Sequence, residues 1–280
     1  MIFEPEDPGH LLLEGLDGRR GRGASPGSGR RRGARARDPA AHDRERDDKT
    51  ARQEACEHWR DDIIGPALQF RYIAIEGPIG AGKTSLTERL GTRLDATVVL
   101  EDTDNPFLAD FYADRPGAAL QAQLFYLLNR HRQQTSLRQA DLFSQTTLCD
   151  YLFDKDKIFA YLNLDDNELF IYQRLYELLA RDVPPPDLVI YLQAPTDVLL
   201  RRVHGRRSDA EAVALQPDDE YLRELNEAYH HYFFHYNATP LLVVETSQFD
   251  SDASEEALDD LIKQIRSMGP GTRYYVPRTK

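Results

Sequence analysis

The chain has 280 residues, of which 41% are hydrophobic, and its formal net charge is −12 at neutral pH. No apolar run approaches the roughly 18 to 20 residues that a membrane helix needs, and the acidic start lacks the long apolar stretch of a secretory signal, so we expect no membrane span and a cytoplasmic location. Two cysteines, Cys56 and Cys149, are too few for a disulfide framework. Residues 69–280 carry 22 Lys and Arg against 33 Asp and Glu, and so acidic a body predicts no nucleic-acid binding by the folded part.

The first 68 residues differ in composition from the rest of the chain. Residues 17–50 are rich in Gly, Ser, Pro, Arg and Asp and contain no Val, Ile, Leu, Phe, Tyr or Trp. Such a segment cannot bury enough apolar surface to offset its ordering entropy. We therefore predict a disordered or weakly ordered Arg/Gly-rich leader over residues 1–68 and a folded domain over residues 69–280. The arginines between Arg19 and Arg37 also fit an RNA-binding tail, but the composition favours a solvated leader.

Strands and helices are predicted to alternate from Arg71 onward. The predicted strands are 71–76, 96–101, 144–150, 187–193 and 241–246. Helical periodicity predicts helices beginning at Lys83 and over 118–140, 154–181, 197–203, 219–236 and 254–267. This alternation indicates an α/β domain with a parallel sheet and right-handed crossovers.

The segment GPIGAGKT, residues 77–84, matches the phosphate-binding loop pattern G-x-x-x-x-G-K-[ST]. Its glycines let successive backbone N–H groups point at a phosphate, Lys83 places a positive charge on the β- and γ-phosphates, and the Thr84 hydroxyl can ligate Mg²⁺. A predicted strand precedes the loop and a predicted helix follows it, as the motif requires. The predicted ATP-binding residues are Gly77, Pro78, Ile79, Gly80, Ala81, Gly82, Lys83, Thr84 and Ser85.

Charged residues follow the predicted strands at the edge where an open parallel sheet binds its ligands. Glu101 ends the second strand and Asp150 ends the third. Four arginines follow the fourth strand's helix, where a lid could bring them over the phosphates; they are Arg201, Arg202, Arg206 and Arg207. Each charge alone is commonly a solvated surface group. Together with the phosphate-binding loop they predict phosphoryl transfer, which needs a base, a metal contact and cations for the transferred group.

Five ordered segments resemble the deoxynucleoside kinase family, and especially bacterial deoxyadenosine and deoxyguanosine kinases. They are YIAIEGPIGAGKTSL, LEDTDNPFLADFY, LQAQLFYLLNRHRQQ, CDYLFDKDKIFAYLNL and DLVIYLQAPTDVLLRRVHGR. The resemblance covers about residues 70–250. It implies a P-loop kinase fold of three layers, with a five-stranded parallel sheet, helices on both faces and an arginine-bearing lid over about 201–218. It also implies a homodimer, with ATP and a deoxynucleoside as substrates.

The resemblance assigns roles residue by residue. Glu101 is similar to the base that takes the proton of the deoxyribose 5′-hydroxyl, and Gln123 to the glutamine that reads the base edge. Arg130 resembles the arginine that supports the substrate near this carboxylate. Tyr112 resembles a tyrosine that contacts the sugar 3′-hydroxyl. Asp209 stands at the position of a lid carboxylate that contacts the same hydroxyl.

One departure from the family pattern concerns the residues after the third strand. Many members have Asp-Arg-Ser or Glu-Arg-Ser there, whereas this chain has Asp150-Tyr151-Leu152. Asp150 keeps the expected magnesium role together with Thr84, and Lys155 or a lid arginine is expected to replace the missing cation. The predicted catalytic residues are Glu101, Lys83, Arg130, Arg202 and Arg206, and the predicted substrate-binding residues are Glu101, Tyr112, Gln123, Arg130, Asp150 and Asp209. The DYLF variant resembles the bacterial branch that prefers purines.

Several features have plainer interpretations. His231 and His235 have a spacing that fits a metal, but no third ligand is evident, so both are expected to be structural. Phe107, Phe111 and Phe153 are candidates to sandwich the base, and each fits a hydrophobic core equally well.

Three other functions compete with the kinase. A thymidylate-kinase-like enzyme needs extra cations for its acceptor phosphate, and residues 101–116 offer only Arg115. A non-catalytic kinase-fold subunit is disfavoured because Lys83, Thr84, Glu101 and Arg130 are all present. An RNA-associated ATPase that uses the basic leader is disfavoured by the acidic body.

Overall fold

The computed structural model describes residues 68–140, 146–205, 217–247 and 255–277. The predicted leader and most of the predicted lid, with Arg206 and Asp209, lie outside the described residues. Within these ranges no helix is long and apolar enough to cross a membrane.

The described residues form one parallel sheet whose strand order is β2-β3-β1-β4-β5-β6. Its strands are β1 (Tyr72–Glu76), β2 (Thr97–Val99), β3 (Thr147–Cys149), β4 (Leu188–Gln193), β5 (Leu241–Glu245) and β6 (Thr272–Tyr275). All five predicted strands are confirmed. β1 lies between β3 and β4, with Ile73 opposite Leu148 on one side and Leu188 on the other.

The predicted strand count of five is wrong, because β6 adds a sixth strand at the edge of the sheet. β6 pairs only with β5 within the described residues. Tyr274 is 70% exposed, whereas Tyr275 packs against the core and its hydroxyl donates to Asp260 Oδ2 at 2.7 Å. An edge strand needs to bury only alternate side chains, so TRYY lacks the continuous apolar run that marks β4.

The helices lie close to their predicted positions. They are α1 (Lys83–Leu94), α2 (Leu108–Tyr112), α3 (Ala118–Ala140), α4 (Lys155–Asn163), α5 (Asp166–Leu179), α6 (Thr196–Gly205), α7 (Asp219–Phe234) and α8 (Glu255–Arg266). The predicted helical region 154–181 divides at Asp165, whose side chain accepts hydrogen bonds from Asn167 N and Glu168 N and so caps α5. The five-residue α2 is too short to show a periodic signal in the sequence.

Hydrophobic clusters on both faces of the sheet make the three-layer fold. Ile73 and Ile75 of β1 point to the face covered by α1, α6 and α8, while Ala74 points to the face covered by α4 and α7. β4 is buried on both faces, since Ile190 belongs to the first cluster and Tyr191 to the second. Burying one such side chain contributes roughly 1.5 to 3 kcal/mol, so these faces dominate the stability of the sheet.

A close approach at Gly91 holds α1 against β2. Gly91 is buried, and a Cβ added there would overlap Cγ2 of Val98. α1 carries the end of the phosphate-binding loop, and β2 leads to Glu101. The absence of a side chain at Gly91 therefore helps to set the distance between these two parts of the site.

We predict that Gly91→Ala destabilises the protein. Alanine in an exposed helix interior normally stabilises by about 1 kcal/mol relative to glycine, but the clash with Val98 is expected to lower the free energy of unfolding by about 1 to 3 kcal/mol. Urea denaturation measures the change, and Val98→Ala in the same chain should recover part of it. Thr92→Ala, at the next and exposed position of α1, is the control. A Gly91→Ala protein as stable as the wild type would show that the approach is not tight.

Candidate active site

The phosphate-binding loop connects β1 to α1. Gly82 has a φ of 93°, a left-handed conformation that favours glycine, and α1 begins at the next residue, Lys83. The Lys83 ammonium donates to Gly77 O at 2.7 Å and Pro78 O at 3.3 Å. Burial lowers the pKa of Lys83, while the nearby carboxylate of Glu76 opposes that shift. The loop and the helix N-terminus together make an anion-binding site.

The two residues predicted to hold Mg²⁺ are in direct contact. Thr84 Oγ1 donates to Asp150 Oδ2 at 2.7 Å, and the other oxygen, Asp150 Oδ1, accepts from Glu101 N at 2.6 Å. A hydroxyl and a carboxylate beside a phosphate site fit Mg²⁺, which takes few protein ligands and completes its shell with phosphate and water. The described residues contain no group of three or more His, Cys, Asp and Glu that could hold a metal. His231 and His235 are exposed rings in edge-to-face contact.

Two cations hold the Glu101 carboxylate. Its Oε1 accepts from Arg130 Nε at 2.8 Å and from Arg130 Nη2 at 2.5 Å, and its Oε2 accepts from Lys155 Nζ at 2.5 Å. Burial opposes the ionisation of Glu101, but Lys155 and Arg130 together outweigh burial and hold its pKa well below the usual range. Glu101 is therefore ionised at neutral pH.

Arg130 also joins Glu101 to a second buried carboxylate, Asp156. Arg130 Nη1 donates to Asp156 Oδ1, and Gln123 Nε2 donates to the same oxygen at 2.6 Å and to Asp156 O at 3.1 Å. Asp156 is completely buried, and its Oδ2 has no hydrogen-bond partner among the described residues. Burial raises the pKa of Asp156 to about 6 despite the opposing charge of Arg130.

These groups surround one cavity of about 470 Å³. The predicted site residues that line it are Ile79, Gly80, Gly82, Lys83, Thr84, Ser85, Glu101, Tyr112, Gln123, Arg130, Asp150 and Lys155. The phosphate-binding loop, two carboxylates and two buried cations therefore face a single space that has the size of a small-molecule site.

Comparison with known proteins identifies the family. The family model for the deoxynucleoside kinases matches residues 73–268. The chain belongs to the deoxynucleoside kinase family. The matched range includes every residue that lines the cavity, whereas β6 lies beyond the end of the match.

Relatives of the chain include bacterial deoxynucleoside kinases. The chain is 36% identical to the deoxyguanosine kinase of Bacillus subtilis over 137 residues, which cover 48% of this chain and 66% of that one. It is 30% identical to the deoxyadenosine kinase of Lactobacillus acidophilus over 216 residues, which cover 71% and 99%. The structure of deoxyadenosine kinase from M. mycoides with the product dCMP shares the fold, with a TM-score of 0.58, 24% identity, and coverage of 70% of this chain and 99% of that chain.

Some predicted site residues of this kinase lie elsewhere. Arg202 does not line the cavity, since its Nη2 donates to Thr246 O at 2.5 Å, and the catalytic role of Arg202 stays a prediction. Arg206 and Asp209 lie outside the described residues. Of the three phenylalanines predicted to contact the base, only Phe111 lines the cavity; Phe107 packs against Phe125, and Phe153 stacks on Tyr176.

Sequence reasoning missed several residues of the kinase cavity. They are Tyr126, Phe159, Asn163, Tyr221 and Tyr229. It also missed Asp156, which binds the lining residues Gln123 and Arg130. Helical spacing could have found Tyr126, which stands three residues after Gln123 and four before Arg130 on α3. Asp156 stands in the charged segment DKDK, which has the composition of a solvated surface, and only the packing of α4 against α3 shows that it is buried.

We predict that Asp156 produces an acid limb in the pH profile of kcat/KM for a deoxynucleoside. As the pH falls through about 6, Asp156 takes up a proton and loses its ion pair with Arg130, so kcat/KM should fall. Asp156→Asn should lower the plateau and remove this limb, because Asn does not titrate. Asp154→Asn, which changes a partly exposed carboxylate bound to Tyr176 and Lys157, should retain the limb. A limb near pH 6 that persists in Asp156→Asn would belong to another group.

Proposed function

We propose that this kinase transfers the γ-phosphoryl group of ATP to the 5′-hydroxyl of a deoxynucleoside, with a preference for purines. The contact that carries the proposal is the one between Glu101 and its two cations, Arg130 and Lys155, inside the cavity that also contains the phosphate-binding loop. A kinase needs these groups together, since it positions a hydroxyl beside a base and neutralises charge on the transferred group. Such a reaction would serve nucleotide salvage in the cytoplasm.

The donor side of the cavity is assigned to ATP and Mg²⁺. The loop amides and Lys83 would hold the phosphates, and Thr84 and Asp150 would hold the metal. The metal would supply positive charge there against the charge that develops on the phosphates. Asp150 also accepts from Glu101 N, so the same carboxylate that faces the donor fixes the backbone of the residue that faces the acceptor.

On the acceptor side, Glu101 is assigned as the base for the 5′-hydroxyl. Arg130 and Lys155 keep the carboxylate ionised, so that it can accept the hydroxyl hydrogen. Lys155 is well placed to replace the family's missing arginine, because its ammonium lies within the cavity on Glu101 Oε2. Tyr151 cannot place a cation there: it is completely buried, and its hydroxyl donates to Gln133 Oε1 at 2.9 Å.

Gln123 and Asp156 are assigned to the base edge. Both of the Gln123 contacts to Asp156 use the amide nitrogen, which leaves the amide oxygen as an acceptor. Asp156 Oδ2, which no donor among the described residues reaches, is assigned as a second acceptor. Two acceptors suit the donor groups of a purine, the exocyclic amine of adenine or the adjacent N–H groups of guanine. Tyr112, which also lines the cavity, is assigned to the sugar 3′-hydroxyl.

A coupled assay of ADP release tests the reaction and its base. With ATP and Mg²⁺, we expect turnover with deoxyadenosine or deoxyguanosine, and Glu101→Gln should lower kcat by about 100-fold or more, the scale of a lost general base. Glu245→Gln is the matched control, since Glu245 ends β5 as a half-buried carboxylate outside the cavity. Turnover only with a deoxynucleoside monophosphate would reassign the chain to the monophosphate kinases, and tight ATP binding without turnover of any acceptor would indicate a non-catalytic subunit.

We further propose that this kinase forms a homodimer. Large apolar side chains of α3 and α5 are exposed, with Leu128 at 50%, Phe170 at 60%, Ile171 at 53% and Leu178 at 59%. These two helices pack around the cluster that contains Leu127 and Tyr172. Exposed apolar side chains of this size are typical of a surface that another chain covers.

Light scattering tests the assembly. We expect a mass of about twice the 32.1 kDa of the chain, and Ile171→Glu should shift the mass to that of a monomer, because a charge at an apolar interface loses its water. Phe234→Glu, on an exposed side chain of α7, should leave the dimer intact. A wild-type protein that is monomeric at every concentration would contradict the dimer.

A further inference from the structure

Glu76, the last residue of β1, is a buried carboxylate that lies outside the cavity. Its side chain is completely buried. Oε1 accepts from Gly77 N at 2.8 Å and from Tyr229 OH at 3.1 Å, and Oε2 accepts from Leu152 N at 2.7 Å. Removing a carboxylate from water costs several kcal/mol unless hydrogen bonds compensate it, so these three donors are what allows Glu76 to be there.

The three donors come from three separate parts of the active site. Gly77 N is the first amide of the phosphate-binding loop. Leu152 N lies two residues after Asp150, the carboxylate that Thr84 contacts. Tyr229 belongs to α7 and lines the cavity. The Glu76 side chain therefore connects the phosphate-binding loop, the segment that contains Asp150, and α7.

This arrangement differs from that of Glu245, the carboxylate at the end of β5. Glu245 ends β5, is half-buried, and accepts from Ser247 N, a neighbour two residues away. Glu76 instead reaches a backbone amide 76 residues away. A carboxylate offers acceptors on both oxygens, so it can receive both amides at once, whereas a carboxamide of the same shape turns a donor toward one of them.

We propose that Glu76 is a positioning residue, which fixes the phosphate-binding loop against the segment after β3 and thereby sets the spacing between Thr84 and Asp150. Without this link the two segments remain in the fold, because β1 and β3 still pair. Glu76 would then no longer fix the distance between the Thr84 hydroxyl and the Asp150 carboxylate. This role rests on the proposed function, which identifies the nucleotide as ATP. It predicts that changing Glu76 reduces the increase in ATP affinity that Mg²⁺ produces.

The test measures ATP binding by calorimetry in Mg²⁺ and in EDTA, with no acceptor present. The ratio of the two dissociation constants is the gain from Mg²⁺, and Glu76→Gln should reduce this gain by about tenfold, the scale of one hydrogen bond to a charged group. Glu76→Asp keeps the charge but is one methylene shorter, so it cannot reach both amides and should show the same loss. Glu245→Gln should keep the wild-type gain.

The results separate positioning from a merely structural role. A structural role predicts a lower melting temperature with an unchanged gain from Mg²⁺ in the folded variants, and that result would overturn the proposal. The same holds if neither variant folds, since Glu76 would then act on stability alone. The measurement of ATP binding needs no acceptor, so its result remains valid even if the turnover assay assigns another acceptor class. A wild-type protein that fails to bind ATP at all overturns the proposed function and this inference together.

Discussion

The candidate active site depends on the compensation of two buried carboxylates by two cations. Arg130 lies between Glu101 and Asp156, and Lys155 contacts the free side of Glu101. Burying an unpaired charge costs several kcal/mol. Removing any one of these four residues would therefore leave a buried charge without its partner. The same pairing determines protonation: Glu101 has two cations and a lowered pKa, whereas Asp156 shares Arg130 and has a raised one. Two carboxylates that share Arg130 thereby differ in their protonation near pH 6.

The topology explains why these groups meet. β1 lies in the middle of the sheet, beside β3 and β4. In a parallel sheet the carboxyl ends of neighbouring strands share an edge, so the loop after β1, Glu101 after β2 and Asp150 after β3 converge without contacts along the sequence. The helices complete the site from above that edge, because α3 brings Gln123 and Arg130 on one face and α4 brings Lys155 and Asp156 on adjacent residues.

The residue after Asp150 is a tyrosine, where the family resemblance leads us to expect an arginine. Tyr151 occupies that position as a buried side chain whose hydroxyl binds Gln133, and Gln133 Nε2 in turn donates to Leu100 O at 3.1 Å, next to Glu101. Tyr151 thereby supports the backbone next to Glu101, the predicted base. Lys155, four residues later and at the start of α4, places a cation on Glu101 instead.

The sequence by itself determined the local features of this protein. The loop, its flanking strand and helix, the start of α1, the bounds of α3, and the placement of Glu101 and Asp150 just after strands follow from turn chemistry and periodicity. These signals involve residues close in the chain. Tertiary structure alone decided the edge strand β6, the burial of Asp156 and the partner of Lys155. Lys155 and Glu101 are 54 residues apart, so their contact depends on how α4 packs over the sheet. Local sequence patterns do not encode such distances, because the charge run that contains both Lys155 and Asp156 has the same composition whether it is solvated or buried.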